Sequence, residues 1–81
     1  MGYKFYCVDH WNWYTDEALK DMTDILDSGE VLKVGASCLG HGDSNAMTES
    51  VKRKLTEHYG DRLRVVSKEG LYSYSYTYKL N

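Results

Sequence analysis

Residues 71–80, LYSYSYTYKL, hold the cleanest alternation in the chain, placing Tyr72, Tyr74, Tyr76 and Tyr78 on one side and Ser73, Ser75, Thr77 and Lys79 on the other. A period of two is the spacing of a strand with one covered and one wet face; a helix would scatter the four tyrosines around its circumference. The chain is therefore expected to build a sheet, and apolar side chains elsewhere in it must cover the tyrosine side.

The rest of the chain supplies suitable elements. Residues 3–10, YKFYCVDH, are rich in aromatic and β-favouring side chains and read as a first strand. Thr15 is a good helix N-cap, followed by Asp16 and Glu17 at the positive end of the helix dipole. Ala18, Leu19, Met22, Ile25 and Leu26 then recur at helical spacing up to Gly29. Residues 30–38 alternate again, with Leu32, Val34, Ala36 and Cys38 on one side. Residues 40–45, GHGDSN, form a turn-rich connection whose Ser44 or Asn45 is expected to cap a second helix carrying Met47, Val51, Leu55 and Tyr59, stopped by Gly60. Residues 62–67 read as a third strand, joined to the tyrosine strand by a hairpin turn at Lys68, Glu69 and Gly70.

These elements predict an α+β domain, a two-layer α/β sandwich in the order β-α-β-α-β-β. The four-stranded sheet is mixed, with both helices on one face. Each strand-helix-strand step is expected to make parallel neighbours, and the last two strands an antiparallel hairpin. Leu32, Val34, Ala36, Cys38, Leu63, Val65 and the tyrosine row form the expected covered side. Cys7 joins them from the first strand. Lys4, Lys33, Ser37, Arg64, Ser73, Ser75, Thr77 and Lys79 form the wet side, which leaves Tyr6 and Val8 on the polar side of the first strand.

The 81 residues make one domain, spanning 1–81, that buries roughly 60 to 65% of its unfolded surface. A large catalytic cleft is not expected in so small a body. No apolar run reaches the roughly 20 residues that span a bilayer, and the first ten residues lack the regions of a signal peptide. A cytoplasmic protein without a membrane partner is the expectation, with Cys7 and Cys38 as reduced thiols. Charge is unevenly spread: residues 1–50 hold nine acidic and three Lys/Arg side chains, against three and seven over 51–81.

Several groupings carry potential chemistry. Cys7 and His10, and again Cys38 and His41, share a Cys-x2-His spacing at the ends of strands expected to be parallel. A tetrahedral Cys2His2 zinc site would need all four to converge, whereas cysteines on apolar strand sides more often pack as small hydrophobes. The same region would offer Cys38 as a nucleophile with His10 or His41 as base, but nothing in the spacing brings them within reach, and no catalytic residue is assigned. Gly40, Gly42, Ser44 and Asn45 lie before a helix, where backbone amides could hold an anion, although the glycine spacing fits no nucleotide-binding fingerprint. Lys52, Arg53 and Arg64 are candidate nucleic-acid contacts in a chain whose pI near 5.8 is far from that of a dedicated nucleic-acid binder. The segment Trp11, Asn12, Trp13 and Tyr14 concentrates large aromatics where a small core cannot absorb them all, and such side chains anchor protein interfaces.

By elimination the sequence predicts a non-enzymatic protein-interaction module. It would be a small accessory or inhibitory protein, of a size that suits a phage or mobile-element modulator of a host enzyme. It would dock on a larger partner through Trp11 to Tyr14. The alternatives are a small ligand- or zinc-binding domain and a nucleic-acid-binding domain.

Overall fold

The computed structural model describes residues 3–8, 15–36, 41–69 and 75–81, with 41–45 described by their backbone alone. The elements are β1 (Lys4–Cys7), α1 (Asp16–Asp27), β2 (Leu32–Gly35), α2 (His41–Tyr59), a single 3-10 turn (Gly60–Arg62), β3 (Leu63–Glu69) and β4 (Ser75–Leu80). This is the expected α+β class and the expected β-α-β-α-β-β order.

Local chemistry accounts for the ends of α1. Thr15 is extended (φ −84°, ψ 150°) and its Oγ1 accepts from the Ala18 amide at 3.1 Å. At the other end Gly29 adopts φ +88°. Its amide reaches the Leu26 carbonyl at 3.0 Å and the Glu30 amide reaches the Ile25 carbonyl at 3.3 Å, the paired closure of a Schellman motif. The second helix starts earlier than its sequence suggests. Gly42, Ser44 and Asn45 fall inside its first turns rather than in a loop, and Asp43 stands where the helix dipole favours an acid.

The sheet order is β1-β2-β4-β3. Parallel pairing of β1 with β2 agrees with a strand-helix-strand step between neighbours. The second such step does not end beside its start: β4 inserts between β2 and β3 and pairs antiparallel with both. The expected β2–β3 adjacency is thereby corrected. β4 can take this place because its tyrosine side supplies what the core needs between the two helices and β2. The expected hairpin turn is displaced too, since Lys68 and Glu69 belong to the ladder opposite Tyr76 and Ser75, and the connection falls within 70–74, outside the described residues.

Both helices cover the same side of the sheet. Ala18, Met22 and Leu26 from α1 meet Met47, Val51, Leu55 and Tyr59 from α2, and both sets pack on Val8, Leu32, Val34, Ala36, Tyr76 and Tyr78. Each helix presents its buried residues one turn apart, the pattern of a single apolar stripe. The Tyr59 hydroxyl ties the layer together by donating to Asp27 Oδ1 at 2.9 Å and to the Thr23 carbonyl at 3.2 Å. Tyr78 is fully buried, and among the described residues its hydroxyl has no hydrogen-bond partner.

One expected facing is reversed. In β1, Tyr6 and Val8 are the side chains that turn to the core, while Cys7 shares the uncovered side with Phe5. Both parities of this strand carry apolar groups, so alternation alone does not choose between them. The pairing Tyr6 to Val34, together with complete burial of Val8, does. Val65 departs from expectation in degree. It lies opposite buried Tyr78 but is 43% exposed, next to an irregularity of register between Val65 and Ser67 that leaves Val66 without a cross-strand partner.

Candidate functional site

The uncovered side of the sheet is the face on which exposed aromatic and cationic groups meet. Its register gives one row of Phe5, Lys33, Thr77 and Ser67, a second of Cys7, Gly35, Ser75 and Glu69, and a third pairing Lys79 with Arg64. Aromatic groups stand on β1 at one edge, hydroxyls occupy the middle, and Arg64 stands at the opposite edge.

Phe5 owes its pose to Gly35. A Cβ built on Gly35 would lie 3.1 Å from Phe5 Cζ and 3.3 Å from Cε2, so the ring leans against the sheet over the space the glycine leaves open, and a side chain there would push it by a few tenths of an ångström. Phe5 nevertheless remains 52% exposed, so much of the ring is open to solvent. Tyr3, 55% exposed, precedes it along the same edge. Lys33 Nζ sits 5.1 Å from the Tyr3 ring centroid and 3.1 Å from Glu69 Oε2. The Glu69 carboxylate raises the Lys33 pKa against the opposing effect of desolvation.

Glu69 is the one acid in the paired positions of this face, and Lys33 engages it. Arg64 and Lys79 lie directly across from one another and, among the described residues, neither forms an ion pair. Like charges directly opposite each other on a sheet are unfavourable, so this pair keeps a local positive potential that a bound anion would relieve. The helical layer has the contrary sign along α1, where Asp16, Glu17, Asp21, Asp24 and Asp27 are opposed by Lys20 alone.

A second polar cluster lies at the rim of the covered side. Tyr76 donates to Glu49 Oε1, Lys68 Nζ stands 3.4 Å from that oxygen, and Lys52 and Lys68 each hold Nζ 5.2 Å from the Tyr76 ring centroid. The Tyr76 hydroxyl, aided by the two lysines, holds the Glu49 carboxyl below its ordinary pKa. Burial and then the carboxylate push the Tyr76 hydroxyl up. The groups satisfy one another, and the cluster joins α2 to β3 and β4.

The structure divides the residues singled out in the sequence. Lys52 and Arg53 lie on α2, with the helical layer, while Arg64 is on the opposite side of the sheet, so the three form no common surface. Cys7 is exposed on the uncovered side, and α2, which begins at His41, packs on the other. His10, Cys38 and Gly40 lie outside the described residues, as do Trp11, Asn12, Trp13 and Tyr14. Among the described residues, no three potential metal ligands come together, and no helix is long and apolar enough to cross a membrane. Tyr3 and Phe5 are the residues that sequence reasoning passed over. Their signal was the surplus of aromatics on a strand whose opposite parity, Tyr6 and Val8, could already fill the core.

No protein-family model matches the chain, nor does any curated protein or solved structure.

Proposed function

We propose that this protein is a small non-catalytic binding module that docks on a larger macromolecule through the uncovered face of its sheet. The observation that carries the reading is the Phe5 ring, seated against Gly35 and half exposed on a face that neither helix covers. Large aromatic side chains are favoured anchors of macromolecular contacts, and a strand presents them with little entropy to lose. Val66, 57% exposed at the far edge, adds a second apolar point. Trp11, Asn12, Trp13 and Tyr14 follow β1 along the chain and are proposed to belong to the same docking module. An accessory or inhibitory role in the cytoplasm is the corresponding biological reading.

A photoreactive benzophenone amino acid placed at position 5, and separately at exposed position 57 on α2, tests this in the cells that make the protein. Irradiation is expected to give a defined heavier adduct from position 5 and none from position 57. Recovery of the unmodified chain from both would refute the reading.

A further inference from the structure

We infer that the macromolecule docked on the uncovered face is a single-stranded nucleic acid, an inference that rests on the docking reading above. Three features of the face converge on that chemistry. The half-exposed Phe5 ring offers π-surface to an unstacked base, with Tyr3 beside it. Arg64 and Lys79, paired across β3 and β4 with no carboxylate partner among the described residues, offer positive charge to phosphates. Between them, Ser67, Ser75 and Thr77 present hydroxyls and no unpaired acid.

The spacing suits an extended strand. From β1 to β3 the face crosses three inter-strand intervals, about 14 Å at roughly 4.8 Å each, which takes a short run of splayed nucleotides rather than one. Among the described residues this face has no projecting helix or ribbon to enter a duplex groove, so paired bases are disfavoured. The acidic pI does not oppose this. The surplus acids sit on α1, behind the sheet, and their field would orient the open face toward a polyanion. A protein partner would find a less suitable surface, because hydroxyls and cations separate the aromatic edge from Val66 instead of a continuous apolar centre.

The test is fluorescence anisotropy with labelled oligo(U) and oligo(dT) of about 12 nucleotides, a length within the roughly 4–16 nucleotides that single-strand-binding folds cover. A duplex of equal length and poly-glutamate serve as competitors. Binding to at least one single strand is expected, and the two arms separate an RNA ligand from a DNA one. Phe5→Ala should weaken it about 5- to 100-fold with little change in salt dependence, the loss of one stacked base. Arg64→Ala with Lys79→Ala should instead lower the slope of log affinity against log salt by about 1.4, roughly 0.7 for each cation. Lys52→Ala with Arg53→Ala, on the helical layer, should leave both quantities unchanged.

Absence of binding to either strand at low salt would overturn the inference. So would competition by duplex as effective as by single strand, equal competition by poly-glutamate, or equal losses from the Lys52 and Arg53 changes. Protein adducts from position 5 in cells, without oligonucleotide binding in vitro, would leave the docking reading standing and remove the nucleic acid. Circular dichroism checks the fold of each variant, and the Arg64 and Lys79 pair keeps the test decisive should Phe5→Ala disturb β1.

Discussion

Replacing Tyr78 by Phe should make the protein more stable, although it removes a polar atom from the middle of the core. Tyr78 is fully buried between the helices and the sheet, and among the described residues its hydroxyl meets no acceptor or donor. In the unfolded chain that hydroxyl is hydrated, so folding strips it of water and returns nothing. Protein mutational data put this penalty at about 1–3 kcal/mol. Phe keeps the ring and its stacking on Tyr76, now 5.9 Å between centroids at 23°. It leaves only the space of one oxygen, whose lost dispersion contacts take back a fraction of the gain. A net increase of about 1–2 kcal/mol is expected, and a domain of this size should then melt roughly 5–15 °C higher.

Tyr59→Phe is the control with the opposite sign. Its hydroxyl has two acceptors, Asp27 and the Thr23 carbonyl, and losing a bond to a charged group at a partly exposed site should cost about 1–2 kcal/mol. Urea unfolding followed by circular dichroism at neutral pH measures both. A Tyr78→Phe protein that is less stable than wild type by more than about 1 kcal/mol would refute the reasoning, since it would mean that the hydroxyl is paired after all.

Three further outcomes are expected. Burial holds the Tyr78 pKa well above the ordinary tyrosine value, and burial with Asp27 does the same for Tyr59. Because the folded pKa is raised, the stability is fully present below pH ~10 and is lost above it, by up to about 1.4 kcal/mol per pH unit for each residue; urea midpoints between about pH 9 and 11.5 should show a downward slope that Tyr78→Phe makes shallower. Leu55→Ala empties a fully buried position under the sheet and should cost about 2–5 kcal/mol, a large part of the total for 81 residues; a loss below about 1 kcal/mol in the same assay would contradict the packing described. Gly35→Ala sets a Cβ at 3.1 Å from Phe5 Cζ, so it should shift the Phe5 ring resonances in proton NMR while changing stability by less than about 1 kcal/mol; unchanged resonances would show that the ring does not rest there.

Much of the architecture was legible in the chain because its signals are local. Thr15 and Gly29 mark a helix by chemistry that acts within one turn, and Tyr76 and Tyr78 declare a one-sided strand by their spacing alone. What escaped depends on partners distant in sequence. Nothing near β1 says that Tyr6 rather than Phe5 faces the helices, because both parities are apolar and the choice is made by the register with β2. The insertion of β4 between β2 and β3 follows from competition among strands for a central place, which no single segment encodes. The same limit applied to the site. Arg64 was visible as a cation, but its pairing with Lys79 on the face that also bears Phe5 exists only once the sheet is ordered.

The central position of β4 bears on how the chain is made as well as on how it stands. On a ribosome, β1, α1, β2, α2 and β3 emerge before residues 75–80, yet among the described residues β3 has no hydrogen-bonded neighbour in the sheet other than β4. Until β4 arrives, β2 presents an open edge and β3 lacks its native neighbour. Before β4 is in place, Leu32 and Val34 lack the cover that Tyr78 and Tyr76 give them across the ladder. The final closure is long-range in sequence and correspondingly slow. That interval makes the tyrosine strand the step on which productive folding and strand-exchanged association between nascent copies diverge.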